Sequence, residues 1–150
     1  MAVERARPYA QFNFLVDLGG TDTASIQAGF QEVSGLGFEV AVTEYRNGNE
    51  KENAPRKMMG LAKVADVTLK RGVIGTTDLY QWLSEVRSGS HSQLKTVTIQ
   101  LQNEERSGIA MTWKLMNARP IKYTGPSLSG KGSDVAIEEL VLACERIEIE

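Results

Sequence analysis

Alternation of apolar and polar side chains with a period of two dominates this sequence. The clearest run is residues 94–102, in which Val97, Ile99 and Leu101 alternate with polar positions. A period of two is that of a β-strand with one buried face. The same alternation recurs over residues 11–18, 38–45, 63–71 and 135–149. The chain is therefore predicted to be mainly antiparallel β-sheet, folded as a sandwich or a barrel.

A hairpin is predicted over residues 94–117, because a polar turn at 103–108 joins two alternating runs. Trp113 lies in the second run and is expected to be a core anchor, since a large aromatic ring gains much from burial. Arg119-Pro120 then predicts a kink or a sheet edge, because proline cannot donate to a sheet ladder. Residues 125–133, rich in Gly and Ser, predict a flexible hairpin loop.

One segment predicts a helix. Thr76-Thr77-Asp78 supplies an N-cap signal, apolar residues follow at helical spacing, and Ser88-Gly89 ends the pattern. A helix over residues 77–87 would flank the barrel and anchor it through Leu79, Trp82, Leu83 and Val86. A single helix among many strands excludes repeated βαβ units, and 150 residues fit one domain, 1–150.

The composition excludes several classes of protein. Seventeen Lys and Arg against nineteen Asp and Glu give a formal charge of -2, so no basic field would attract nucleic acid or anionic lipid. No apolar run approaches the roughly 18 residues of a membrane span, so no membrane anchor is expected. Cys144 is the only cysteine, which excludes an intrachain disulfide and suggests a protein folded in a reducing cytoplasm.

No catalytic constellation is found among the reactive residue types. Gly125, Gly130 and Lys131 stand at the spacing of a phosphate-binding loop, but Gly132 occupies the position that needs Ser or Thr. His91, the only histidine, lies in a linker of small residues and is interpreted as a surface residue. No cofactor, no metal site and no enzymatic activity are therefore expected.

A long aperiodic stretch, residues 46–59, predicts a contact beyond the subunit. Connections in compact domains are usually about 4–6 residues long, so a loop of this length needs another reason. Its mixed charges would suit an electrostatically registered contact. The residues of this predicted loop are Arg46, Asn47, Gly48, Asn49, Glu50, Lys51, Glu52, Asn53, Arg56, Lys57, Met58 and Met59.

Two further features point to assembly. A straight strand over residues 135–149 would span about 50 Å, more than the roughly 40 Å of a compact domain of this size, so it must bend or leave its subunit. One face of the 94–102 strand is polar and uncharged, as a channel wall that does not hold passing cargo would be. That predicted lumen face is Thr96, Thr98, Gln100 and Gln102. A ligand-binding barrel with a polar interior predicts the same alternation.

Five segments, in this order and spacing, resemble the tail tube proteins of contractile phages and contractile injection systems. They are Tyr45-Arg46-Asn47-Gly48, Lys70-Arg71-Gly72, Asp78-Leu79-Tyr80-Gln81-Trp82, Asn117-Ala118-Arg119-Pro120-Ile121-Lys122-Tyr123 and Val135-Ala136-Ile137-Glu138-Glu139-Leu140. The family commonly carries Trp before the proline, where this chain has Arg119, a difference that concerns a local packing contact.

The resemblance implies a barrel-like subunit that forms hexameric rings, which stack into a hollow tube inside a contractile sheath. It implies that the 46–59 loop reaches the neighbouring ring, and that the tube is driven through a target envelope. The implied partners are further copies of the chain, a sheath protein, baseplate or spike and terminator proteins, and a payload of DNA or protein effector. The implied location is a phage tail or an injection particle, made in a bacterial or archaeal cytoplasm.

Two alternatives remain open at this point. A type VI secretion-like or baseplate tube protein would share the architecture and differ in its partners. A lipocalin-like barrel that binds a small molecule would explain the alternation but not the long charged loop.

Overall fold

The structure is a computed structural model, which describes residues 2–19, 29–89 and 94–150. The described residues form a mainly antiparallel β-protein with a single helix, as the alternation predicts. The elements are β1 (Phe14–Asp17), β2 (Glu32–Ser34), β3 (Phe38–Tyr45), β4 (Arg56–Val64), β5 (Val67–Gly72), α1 (Asp78–Arg87), β6 (Lys95–Gln102), β7 (Ile109–Thr124), β8 (Ile137–Ala143) and β9 (Arg146–Ile149).

The main sheet follows the order β1-β6-β7-β8-β5-β2, with β9 also paired to β7. The first part of β7 pairs with β6 and β9, and its last part pairs with β8. Asn117, with φ 52°, and the bulge after Pro120 bend β7 between these two parts. One long strand therefore belongs to two layers, β1-β6-β7-β9 and β7-β8-β5-β2, in the way strands turn the corners of a sandwich.

Two strand predictions need correction at this corner. The alternation predicts a hairpin over residues 94–117. Its second strand, β7, instead continues through Pro120 to Thr124. The closing strand over 135–149 is interrupted at residues 144–145, which separates β8 from β9. Both run antiparallel along β7, so this break lies where β7 itself turns from one layer to the other. The closing strand bends and stays with its own subunit.

The core lies between the two layers. Val97, Leu115 and Ile147 form one cross-strand row on the inner face of the first layer. Leu69 and Leu140 face them from the second layer, where they are paired and fully buried. Each such side chain contributes roughly 1.5–3 kcal/mol when fully buried. The inner faces are therefore filled by side chains, and the alternating pattern correctly identifies them.

Helix α1 covers this core from the connection between β5 and β6. Leu79 and Trp82 are buried, while Leu83 and Val86 are half-buried at the margin. Thr77 occupies the N-cap position as expected, but its side chain makes no capping hydrogen bond. The ammonium of Lys95 lies 4.8 Å from the centre of the Trp82 ring. In the described part of the chain, no helix is long and apolar enough to cross a membrane.

Strands β3 and β4 form a separate two-stranded sheet, which we call the ribbon (residues 38–64). Two expectations are wrong here. The stretch 46–59 is not one loop, because Arg56 to Met59 are the first residues of β4 and only residues 46–55 connect the strands. Strand β3 is not half-buried, because every one of its residues is exposed.

Candidate assembly surfaces

The ribbon has one apolar face that the described residues of its own subunit leave largely exposed, although Val64 at its root packs against the core. Phe38 pairs with Val64, Val40 with Ala62, and Val42 with Met59, so these side chains share a face. Phe38 is 58% exposed and Met59 71% exposed. The opposite face carries pairs such as Glu39 with Lys63. An isolated two-stranded ribbon is at best marginally stable in water, so an apolar face of this kind requires a partner.

The root of the ribbon is fixed by close backbone packing. Gly35, with φ +86°, separates β2 from the ribbon, and a Cβ built there would lie 2.2 Å from the carbonyl oxygen of Asp66. Only glycine fits this approach. The amide of Ala65 also donates to the carbonyl of Gly37 at 3.0 Å. These contacts hold together the two segments of the chain that lead into and out of the ribbon.

The tip of the ribbon is organised by Arg46. Its guanidinium donates to the carbonyl of Glu52 at 2.9 Å and to that of Glu50 at 3.0 Å. The carboxylate of Glu50 in turn lies 3.2 Å from Nε of Arg56, at the start of β4. Of the predicted contact residues, Arg46, Asn47, Gly48, Asn49, Glu50, Lys51, Glu52 and Asn53 belong to this tip, and Arg56, Lys57, Met58 and Met59 to β4.

A second surface is the outer face of the β1-β6-β7-β9 layer. Thr98 and Gln100 point outward there, because they alternate with Val97 and Ile99, which are buried. Thr98 pairs with Asp17 and with Lys114, and Gln100 with Leu15 and Thr112. Thr96 and Gln102 belong to the same strand but stand at its two register shifts, so their pairing is irregular.

This outer face is charged, contrary to the expectation drawn from β6 alone. Lys114 pairs with Glu148, and its ammonium lies 2.8 Å from the carboxylate of Glu150. Arg146 lies beside Glu148 at 3.0 Å. The neighbouring strands therefore add three acidic and two basic groups: Asp17, Glu148, Glu150, Lys114 and Arg146. These charged residues lie beside β6 because of the strand order, which the sequence pattern does not predict.

A buried ionic network joins α1 to the second layer. Arg71 is 1% exposed, and its guanidinium donates to Glu138 at 2.6 Å and to Asp78 at 2.5 Å. Thr76 donates to the same Asp78 carboxylate, and the Tyr123 hydroxyl donates to Glu138 at 2.7 Å. Arg71, Asp78, Tyr123 and Glu138 come from four of the five segments that carry the family resemblance. Sequence reasoning assigned them no role, because their distance along the chain hides the contact.

The network changes the proton affinities of its members. Burial alone would raise the pKa of Asp78, but hydrogen bonds from Arg71 and Thr76 outweigh it and hold that pKa below its usual value. Burial likewise opposes the charge of Arg71, while its bonds to Asp78 and Glu138 raise its pKa overall. The hydrogen bond to Glu138 raises the pKa of Tyr123. The pKa shifts of Asp78 and Arg71 therefore keep this ion pair charged at neutral pH.

Among the expected anchors, Leu79 and Trp82 are core residues, whereas Trp113 is half-buried and packs at the margin of the core. Gly125, Gly130 and Lys131 lie in the exposed connection between β7 and β8. His91 lies outside the described residues. Within the described ranges, no group of three or more His, Cys, Asp or Glu side chains is placed to hold a metal ion.

Comparisons with known proteins agree on one architecture. The sequence model of the family described as T4-like virus tail tube protein gp19 matches residues 10–148. Among curated proteins, none matches this chain.

Solved structures of similar fold come from contractile injection systems. A chain from the PVC extracellular contractile injection system, solved as a sheath-tube complex in the extended state, is 30% identical, with a TM-score of 0.81 over 97% of this chain and 93% of that chain. A chain from the PVC sheath/tube terminator is 32% identical, with a TM-score of 0.80 over 99% of both chains. A chain from the anti-feeding prophage cap is 26% identical, with a TM-score of 0.83 over 100% and 95%. Hcp1 from Flavobacterium johnsoniae, at 12% identity and a TM-score of 0.55, shares the fold.

Proposed function

Because the chain belongs to the T4-like virus tail tube protein gp19 family, we propose that it is the repeating subunit of the inner tube of a contractile injection system or a contractile phage tail. Six copies form a ring, and rings stack into a hollow tube that is driven through a target envelope. The subunit acts by assembly and turns no substrate over. It is made in a bacterial or archaeal cytoplasm and becomes part of an extracellular particle or a virion tail.

The observation that carries this proposal is the ribbon. Its apolar face is exposed in the single subunit, which a solitary soluble protein avoids and an assembling one requires. The hydrogen-bonded tip around Arg46 gives that ribbon a defined end, with which it contacts the next ring. A barrel that binds a small molecule would leave this exposed ribbon unexplained, and the core around Val97, Leu115 and Leu140 is already filled.

The complexes in which similar chains were solved suggest the partners of this chain. Chains with comparable sequences occur in a sheath-tube complex, in a sheath/tube terminator and in a tube-terminating cap. We therefore propose a sheath protein around the tube, terminator and baseplate or spike proteins at its ends, and further copies of the chain between them. A type VI secretion-like tube protein shares the fold and would differ in these partners.

The outer face of β6 and its neighbours is the proposed lumen wall. Four of its five charged groups form ion pairs, Lys114 with Glu150 and Arg146 with Glu148. With three acidic groups against two basic ones, such a wall would not hold a polyanion as it passes. The payload is DNA in a phage tail and a protein effector in an injection system.

Shortening the ribbon tip tests the proposal. Replacing residues 49–53 by a short Gly/Ser turn removes the carbonyls of Glu50 and Glu52 that Arg46 binds, while leaving both layers of the core intact. We expect a folded subunit, or an isolated ring, that does not stack. Velocity sedimentation against the wild type measures this, with Leu128→Ala in the exposed 125–136 connection as the control. Long tubes from the shortened variant would contradict the proposal.

A further inference from the structure

The tip of the ribbon contains an asparagine whose side chain can react with the backbone that follows it. Of the six asparagines in the sequence, Asn47 is the one followed by glycine. The side-chain carbonyl carbon of an asparagine can close a succinimide ring with the nitrogen of the next residue. Glycine hinders this approach least, because it has no side chain. Both Asn47 and Gly48 are exposed, so water reaches the same atoms.

The contacts of Asn47 favour this ring closure. The hydroxyl of Tyr45 donates a hydrogen bond to Oδ1 of Asn47. Such a donor makes the carbonyl carbon more electrophilic and stabilises the negative charge that develops on the oxygen when a nucleophile adds. The amide of Glu50 donates to the main-chain carbonyl of Asn47 at 3.1 Å, which places the reacting peptide bond in a turn.

Other asparagines of the chain lack this combination. Both ends of the Asn103 amide are bound to Ser107, because its Nδ2 donates to the hydroxyl at 2.9 Å and its Oδ1 accepts from the backbone amide at 2.9 Å. Asn49 is exposed like Asn47, but the residue that follows it is Glu50. Asn49 is therefore an internal comparison for Asn47 in the same part of the ribbon.

We propose that Asn47 is a site of spontaneous deamidation, assisted by the hydroxyl of Tyr45. The backbone nitrogen of Gly48 gives up its proton and forms a bond to Cγ of Asn47, the Cγ–Nδ2 bond breaks, and ammonia leaves with a proton in place of the lost bond. Water then opens the succinimide. Attack at Cγ gives aspartate, and attack at the main-chain carbonyl carbon gives isoaspartate. Nothing is oxidised or reduced, and water is the co-reactant.

Both products change the tip of the ribbon. Residues 46–53 carry two basic and two acidic side chains, so a new carboxylate gives this segment a net negative charge. The isoaspartate product also adds a carbon to the main chain in the turn that leads to Glu50 and Glu52, whose carbonyls bind Arg46. A deamidated subunit therefore presents a rearranged tip and should stack less. This consequence rests on the proposed function, whereas the reaction itself does not.

Peptide mass spectrometry of the ageing protein tests the reaction. The full chain is incubated in mildly alkaline buffer, and samples are digested at acidic pH, where ring closure is slow. Fragment spectra then follow Asn47 and Asn49 separately. We expect Asn47 to deamidate at least about tenfold faster than Asn49, with both aspartate and isoaspartate as products. Equal rates at the two positions overturn the proposal.

Two variants assign the reaction to its groups. A Cβ built on Gly48 meets no atom within 4 Å, so Gly48→Ala should keep the melting temperature while slowing deamidation of Asn47 at least about tenfold. Tyr45→Phe keeps the ring and removes the hydroxyl, so it should slow the reaction at Asn47 several-fold and leave Asn49 unchanged. A wild-type rate in Gly48→Ala overturns the proposed ring closure. A wild-type or higher rate in Tyr45→Phe overturns the role of the hydroxyl.

Velocity sedimentation before and after ageing tests the consequence for assembly. Each protein is compared with its own fresh sample, so any direct effect of the substitution is removed. Aged wild-type protein should form shorter tubes than fresh protein, and aged Gly48→Ala should not change. Equal losses in both proteins overturn the effect of Asn47 on stacking and leave the proposed function intact. Fresh wild-type protein that stays monomeric overturns the proposed function, while the deamidation measured by mass spectrometry still stands.

Discussion

Arg71 is the residue on which the second layer and the helix both depend. A guanidinium that is 1% exposed would be very unfavourable alone, and it is compensated by two carboxylates, Glu138 and Asp78. Glu138 lies on β8, and Asp78 is the first residue of α1. The network therefore fixes where the helix begins relative to the sheet, although the side chain of the N-cap residue Thr77 makes no capping hydrogen bond.

The variant Asp78→Asn should make the free energy of unfolding less dependent on pH in the acidic range. A carboxylate whose pKa is lowered by folding contributes stability above its unfolded pKa of about 3.9, and that contribution is lost as the pH falls through the folded pKa. Loss of a charged hydrogen bond should cost about 1.5–3 kcal/mol at pH 7, toward the lower end because Asp78 is 29% exposed.

Urea unfolding at pH 7 and at pH 3 measures this effect. The gap in unfolding free energy between Asp78→Asn and the wild type should narrow at pH 3, which lies below the unfolded pKa of about 3.9, because unfolding of the wild type then takes up a proton at Asp78. Asp134→Asn, in the exposed connection between β7 and β8, should follow the wild type at both pH values. An equal gap at the two pH values would show that the charge of Asp78 does not stabilise the fold.

Trp82 is the largest anchor of α1 and gives a second prediction at this scale. It is 3% exposed, so Trp82→Ala should leave a cavity and lower the free energy of unfolding by about 3–5 kcal/mol. Tyr80→Ala, on the exposed side of the same helix, should cost far less. Thermal unfolding compares the two, and a fall of only a degree or two for Trp82→Ala would be incompatible with a buried anchor.

Strands and the helix show how far local pattern determines structure. The alternation correctly identifies β6 and the inner residues Val97 and Ile99, because a period of two reports which side chains share a face. The same pattern in β3 predicts burial that the single subunit does not provide. Alternation shows that a strand has an apolar face to be buried. A single sequence does not show whether the same subunit or another copy buries it. The pattern does not predict that β7 is continuous beyond Asn117, because Arg119-Pro120 reads locally as a kink or an edge and residues 121–123 as a brief extended segment after it. Pro120 instead lies buried at a bulge within the strand.

The outer face of β6 gives a prediction about the channel. Replacing Thr98 and Gln100 by Lys adds two positive charges per subunit, or about twelve per ring of six, within or near the screening distance of about 8–10 Å at physiological salt. The subunit should still fold, since both positions are on the outer face. Tube yield should become strongly dependent on ionic strength, and the tubes should retain short DNA.

A matched double variant separates position from charge. Ser34→Lys with Thr68→Lys places the same charges on paired residues of β2 and β5, on the outer face of the other layer. It should not retain DNA inside the tube. If the Thr98 and Gln100 variant assembles equally at low and high salt and binds no more DNA than the control, the lumen lies elsewhere.

The whole molecule is a filled two-layer body with a ribbon that extends from it. The sequence predicted the body's class, its helix and the family, because core alternation and the spaced motifs are properties of the chain alone. It did not predict the Arg71 network or the charges around β6, because each depends on which strands lie side by side. The apolar face of the ribbon, which is largely exposed among the described residues, is the surface that an assembly would bury.

Electron microscopy of the purified protein tests the central claim most directly. Samples at several concentrations would be imaged by negative stain, and the same samples measured by velocity sedimentation. The account predicts six-fold rings and hollow tubes, with longer tubes at higher concentration, because each added ring buries apolar ribbon surface. Uniform particles of the 16.5 kDa subunit at every concentration would contradict it.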